Sequence, residues 1–254
     1  MRKIVYATLC VTGVLVLTNI FGGFISSHVT GYFFKSFLAE LSGVILAFAA
    51  LGFLRKTSIL KLQLHGVSEG LTASSPLLVL NGIILLGYLG DHDPITEPVF
   101  NCILFVFFIL LVGTFEEVLF RGIIQNAFHD YYGYETPGSV RKAIIAASVV
   151  FGLTHLTNIL AGGEIVSVII QAITVIPVGI LFGTIYYRSG RNIWLCILVH
   201  AINDFVALLR SGILSGGSVV SSINGYSGLK LVSVVLYGAI IVTLMRKEKL
   251  QKIA

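Results

Sequence analysis

The stretch that decides the fold is residues 98–121, PVFNCILFVFFILLVGTFEEVLFR, which carries no charged residue before Glu116. A hydrocarbon core about 30 Å thick requires about 20 apolar helical residues. Lipid offers the backbone no hydrogen-bond partner, so only helices and closed barrels cross it. A barrel strand alternates apolar and polar residues over about 10 positions, whereas this run is continuous. We therefore predict a membrane-spanning helix here.

Comparable apolar runs recur along the whole chain. Of its 254 residues 56% are hydrophobic and only 11% are charged, whereas soluble domains carry about 25% charged residues. We predict a single integral membrane domain over residues 1–254, an all-α polytopic bundle. Hydropathy predicts about eight spans, near residues 4–26, 36–54, 72–90, 98–121, 142–160, 165–187, 192–210 and 229–245.

The basic residues predict the orientation of these spans. If both termini lie in the cytoplasm, all but three of the 17 lysines and arginines flank the spans on the inner side. The exceptions are Lys35, Arg210 and Lys230. This asymmetry is typical of multi-pass membrane proteins. The net charge of +5 is therefore explained by topology, and the expected partner is the lipid bilayer rather than nucleic acid.

The three cysteines, Cys10, Cys102 and Cys196, lie far apart inside separate apolar runs. Neither a disulfide framework nor a structural zinc motif has this spacing. We interpret all three as inert buried thiols, since a free cysteine behaves as a small apolar residue.

Polar residues inside the spans require an explanation, because a charge at the bilayer centre costs about 2.5–3.5 kcal/mol even on the most lenient scale. Glu40 stands near the outer end of the second span, where we expect it to be solvated. The other candidates fall in the fourth, fifth and seventh spans and are Glu116, Glu117, Arg121, His155, His200 and Asp204.

Helical spacing relates these side chains. Glu117 and Arg121 stand four residues apart, which favours an ion pair and leaves Glu116 to face another partner. His200 and Asp204 share a helix face in the same way. Such a set on three helices suits a water held for attack on a carbonyl, with Glu116 as general base. The histidines would donate to the oxyanion or hold a metal.

Two plainer interpretations remain open. Glu116, Glu117 and Arg121 together would also fit an interfacial charge cluster, and each histidine alone would fit a satisfied core position. Counting about 1.5 Å per residue from the inner span ends places Glu116 about 8 Å deep, His200 about 14 Å and His155 about 20 Å. His155 is thus expected to lie deeper than the other two.

The three motifs resemble a known family. Glu116-Glu117-x-x-x-Arg121, Phe151-x-x-x-His155 and His200-x-x-x-Asp204 are similar to the ordered motifs of the CPBP (Abi) intramembrane proteases. The glycines of Gly179-x-x-x-Gly183 and the turn Arg188 to Trp194 resemble the same family, and the resemblance covers residues 113–205 as its catalytic core. The family commonly has Asn at the position of Asp204.

The resemblance implies an intramembrane endopeptidase, similar to type II CAAX prenyl proteases and bacteriocin-immunity proteins. Glu116 would activate the water, Glu117 and Arg121 would support it, and His155, His200 and Asp204 would complete the centre. The family has been described both with and without a metal; a zinc ion would be held by Glu116, His155 and His200. The implied substrate is a peptide or membrane protein, and the implied location is a bacterial cell membrane.

Other function classes are also compatible with these residues. One is a non-catalytic membrane scaffold or immunity protein that keeps the motifs as structural ion pairs. Another is an ion-coupled transporter, although the outer halves of the spans offer few polar groups for a path across the membrane. The GxxxG glycines are compatible with internal packing and with an oligomer.

Overall fold

The chain is an all-α bundle, as predicted. The computed structural model describes residues 1–91, 94–214, 219–225 and 228–251, and this part of the chain contains helices and no strand. Within these described residues, seven helical segments are long and apolar enough to cross a membrane. Those segments are Arg2–His28, Tyr32–Phe53, Val67–Gly90, Val99–Tyr132, Pro137–Ile159, Ile165–Arg188 and Ile193–Leu214. Their length and composition indicate an integral membrane protein.

The helices are numbered in chain order. They are α1 (Arg2–His28), α2 (Tyr32–Phe53), α3 (Val67–Gly90), α4 (Val99–Glu117), α5 (Asn126–Tyr132), α6 (Pro137–Thr154), α7 (Ile165–Arg188), α8 (Ile193–Leu209), α9 (Val219–Asn224), α10 (Val232–Leu244) and α11 (Lys247–Gln251). Single 3₁₀ turns occupy Thr57–Leu60, His155–Ile159 and Gly228–Leu231.

The fourth span does not end at Arg121, and this prediction was wrong. Helix α4 continues through π-helical turns over Val118–Gln125 directly into α5, and every side chain of the π segment is buried. Arg121 is only 2% exposed, so it lies inside the bundle rather than on its surface. The mean hydropathy falls where polar side chains begin. The helix nevertheless continues, because other residues of the bundle provide hydrogen-bond partners for these side chains.

The eighth predicted span, 229–245, corresponds to the shorter helix α10. With 13 residues α10 is about 20 Å long, less than the about 30 Å of a hydrocarbon core. A crossing at this position and a cytoplasmic location for both termini therefore remain predictions. Lys252, one of the predicted inner basic residues, lies outside the described residues.

The GxxxG glycines of α7 serve packing inside the chain. A Cβ on Gly179 would stand 3.0 Å from a ring carbon of Phe151 in α6, and one on Gly183 would stand 2.7 Å from the side-chain oxygen of Gln125. The distance at Gly183 is shorter than real Cβ contacts, and the one at Gly179 would require the Phe151 ring to shift. The buried carbonyl of Gly183 accepts a hydrogen bond from the Gln125 amide at 3.0 Å. Small residues thus bring α7 against the π segment, as they do in other membrane bundles.

A capped turn sets the start of α8. Gly190 and Arg191 both adopt positive φ, 68° and 64°, a region that suits glycine and is unfavourable for arginine. The Asn192 side chain then accepts the backbone N–H of Leu195 at 3.1 Å, the usual role of an N-cap. Helix α8 therefore begins at a fixed residue, which fixes the direction in which His200 points.

Candidate active site

Glu117 lies at the centre of the polar cluster. Its side chain is fully enclosed, with 0% exposure. Oε1 lies 2.6 Å from Nδ1 of His200, while Oε2 lies 3.2 Å from Nε of Arg121 and 2.8 Å from Sγ of Cys196. Burying a carboxylate is unfavourable unless it is paired and hydrogen-bonded. These three partners meet that requirement.

Arg121 forms the predicted ion pair and is held by further contacts. Its Nη2 donates to the Gly179 carbonyl at 3.0 Å. Its guanidinium carbon lies 4.8 Å from the ring centroid of Phe151 and 5.5 Å from that of Phe182, within the range of cation–π attraction. Arg121 and Glu117 are enclosed by protein, which contradicts their interpretation as an interfacial charge cluster.

His200 connects this buried pair with two partly exposed carboxylates. The imidazole is 3% exposed and stacks on Phe182, with ring centroids 4.4 Å apart. Its Nε2 lies 3.2 Å from Oδ2 of Asp204 and 3.5 Å from Oε2 of Glu116. Each ring nitrogen therefore faces a carboxylate, and an imidazolium would donate at both positions. Glu117, on Nδ1, therefore fixes the orientation of the ring.

Glu116 and Asp204 differ from Glu117 in being partly exposed. Their side chains are 22% and 21% exposed, so neither carboxylate is sealed inside the protein. Glu40 of α2 is half-buried, and its solvation stays a prediction.

His155 lies beside the cluster without joining it. It follows the last turn of α6, where its Nδ1 lies 3.0 Å from the Phe151 carbonyl and its ring packs edge-on against the Phe151 ring at 4.8 Å. Phe151 also faces His200, 6.4 Å away. Within the described part of the chain, no hydrogen bond or ion pair joins His155 to the other five predicted site residues. It does lie within range of the charges of Asp204 and His200.

The zinc alternative requires three ligands around one point. Among the described residues, no group of three or more His, Cys, Asp or Glu side chains has an arrangement that could hold a metal ion. Nε2 of His200, the ring nitrogen left to bind a metal, faces Glu116 and Asp204, and within the described residues no hydrogen bond or ion pair joins His155 to either carboxylate. The observed donor set does not fit the predicted zinc ligands, so we derive no step through a metal.

Cys196 is a residue that sequence reasoning missed. It was interpreted as an inert thiol, yet it contacts Glu117 directly. The available signal was its spacing, because Cys196, His200 and Asp204 follow one another at intervals of four and share one face of α8. The Gly179 carbonyl and the rings of Phe151 and Phe182 also shape the site; a backbone acceptor and apolar rings give no polar signal in a sequence.

Comparison with known proteins gives a family match over the segment that contains the site. Residues 98–206 match the family model described as type II CAAX prenyl endopeptidase Rce1-like. No curated protein and no solved structure matched the chain. All six predicted site residues fall inside the matched range. Over residues 98–206 the chain thus matches the Rce1-like family of type II CAAX prenyl endopeptidases, which confirms the resemblance predicted from its three motifs.

Proposed function

We propose that this protein is an intramembrane endopeptidase of the CAAX protease type, in which Glu116 activates the attacking water. One observation carries the proposal. Two partly exposed carboxylates, Glu116 and Asp204, converge on Nε2 of a histidine whose Nδ1 is fixed by the buried Glu117. A structural ion pair can be sealed inside the protein, whereas a hydrolase needs a carboxylate that a water molecule can approach.

The first step is the attack of water on the substrate carbonyl. A water held between Glu116 and His200 bonds through its oxygen to the carbonyl carbon, and Glu116 accepts one of its protons. The carbonyl π electrons move to the oxygen and form a tetrahedral oxyanion. His155, at the edge of the cluster, would donate a hydrogen bond to that oxyanion from Nε2 as an imidazolium, because its Nδ1 already donates to the Phe151 carbonyl.

The second step breaks the peptide bond. The oxyanion re-forms the carbonyl and expels the nitrogen, which takes the proton held by Glu116 and leaves as an amine. Glu117, Arg121 and the rings of Phe151 and Phe182 keep His200 in place throughout, because catalysis depends on groups that are preorganised before the reaction. The products are a carboxylic acid, which keeps the second proton of the water, and an amine; Glu116 is again a carboxylate, so the enzyme returns to its starting state.

The substrate class follows from the location of the site. The cluster is built on helices that are long and apolar enough to lie in lipid, so a substrate segment must enter from the membrane or its surface. The matched family is named for prenylated CAAX substrates. A lipidated C-terminal cysteine would supply the membrane anchor that this location requires.

The test compares new peptide termini in membranes that contain wild-type protein, Glu116→Gln or Glu248→Gln at equal levels. Glu248 is exposed in α11, away from the site, and serves as the matched control. We expect termini that appear with the wild type and with Glu248→Gln but not with Glu116→Gln. Identical termini in all three samples would refute proteolysis. A phenotype that survives in Glu116→Gln would then favour the scaffold.

A further inference from the structure

Cys196 lies against the part of the site that holds His200. It occupies α8 one turn before His200, and its side chain is fully buried. Its Sγ has two acceptors within reach: Oε2 of Glu117 at 2.8 Å and the Phe182 carbonyl at 3.4 Å. A thiol carries one proton. The nearer and charged acceptor takes it, since hydrogen bonds to an ionised group are the stronger ones.

The two oxygens of Glu117 contact different donors. Arg121 and Cys196 both approach Oε2, whereas His200 approaches Oε1. Donors on two different helices therefore hold one oxygen and prevent the carboxylate from rotating. The other oxygen is left in a fixed position for Nδ1 of His200.

We propose that Cys196 is a positioning residue, whose thiol donates to Glu117 and thereby keeps the carboxylate aligned with His200. The effect on rate rests on the proposed function, because it requires the site to be catalytic. The hydrogen bond itself does not depend on it. Two measurements therefore separate a failure of this inference from a failure of the proposed protease activity.

The first measurement is the S–H stretching band in the infrared spectrum of the purified protein. Subtracting the Cys196→Ala spectrum from that of the wild type isolates the Cys196 band. We expect this band below the frequency of the Cys10 thiol, which is isolated in the same way with Cys10→Ala. Glu117→Gln should move it upward, because the charged acceptor is lost. A Cys196 band unchanged by Glu117→Gln would overturn the inference, whether or not the protein is a protease.

The second measurement is cleavage kinetics with a substrate identified from the new termini. Cys196→Ala should lower kcat about tenfold and leave KM unchanged, the effect of losing one weak donor to a charged group. Cys196→Ser keeps a donor at this position and should retain most of kcat. Cys102→Ala, which does not touch the site, is the control. Equal loss in Cys196→Ser and Cys196→Ala, or no loss in either, would contradict a positioning role.

Protein quality is checked in the same samples. Cys196→Ala should unfold at a lower temperature than Cys196→Ser in detergent, because the buried carboxylate loses a donor, so kcat is compared at a temperature at which both variants are folded. If the wild type cleaves nothing, the proposed function fails, and the infrared band alone decides whether Cys196 holds Glu117.

Discussion

Replacing Arg121 by Gln tests the physical basis of the site, namely that Glu117 is a buried carboxylate kept ionised by its partners. The change removes the guanidinium 3.2 Å from the carboxylate, its hydrogen bond to the Gly179 carbonyl and its stacking on Phe151. Removing one partner of a buried ion pair costs about 3–5 kcal/mol, because the other charge is left uncompensated. We expect a loss of that size in the free energy of unfolding.

The assay is reversible unfolding of the purified protein in mixed micelles, with SDS as the denaturant. Glu117→Gln and the double variant complete the cycle. Since the double variant leaves no charge unpaired, its cost should fall below the sum of the single costs by about 0.5–3 kcal/mol. Lys142→Gln, at an exposed position of α6, is the control and should stay within about 0.5 kcal/mol of the wild type. Additive costs, or a loss for Arg121→Gln no larger than that of the control, would refute the buried-pair account.

Three further predictions follow from the packing, the cap and the donor set. Gly179→Val should destabilise the protein by about 1–3 kcal/mol through overpacking against Phe151. Gly238→Val, with nothing within 4 Å of its Cβ, is the control and should not; equal unfolding curves for the two variants would contradict the close approach of α7. Asn192→Ala should lower the free energy of unfolding by about 1 kcal/mol, the value of an N-cap. Asn19→Ala should lower it by less, because the Asn19 amide donates to an exposed carbonyl of its own helix; the reverse order would show that the cap does not set the start of α8. Elemental analysis should find less than one zinc per chain, and cleavage should continue after chelation. Cleavage that is lost on chelation and returns when one zinc per chain is added back would support the metal mechanism instead.

The sequence predicted the helical fold and most of the cluster because both depend on local spacing. Four-residue intervals on one helix define a shared face, so the contacts of Glu117 with Arg121 and of His200 with Asp204 could be predicted within each helix. The contact of Glu117 with His200 joins α4 to α8, and no spacing within either helix reveals it. The motif resemblance predicted that the helices carrying these residues come together. Only the structure identified the contact between Oε1 of Glu117 and Nδ1 of His200.

Hydropathy failed where polar side chains are satisfied inside the bundle. Gln125 and Asn126 are buried, and they bond the Gly183 carbonyl and the Tyr186 hydroxyl. A hydropathy profile treats them as the end of a span, whereas the helix continues past them. The reverse error concerns Cys196, which a profile counts as apolar although its thiol contacts a carboxylate. Both errors arise because hydropathy scores a residue without its partners.

The central claim is that Glu116 activates water for peptide hydrolysis at the His200 cluster. Its most direct test is cleavage of one identified substrate by purified wild-type, Glu116→Gln and Glu248→Gln proteins in lipid nanodiscs. The account predicts equal rates for the wild type and Glu248→Gln, and a loss of at least about 100-fold in kcat for a properly folded Glu116→Gln, the lower end of a general base's contribution. Cleavage by Glu116→Gln at the wild-type rate would contradict it.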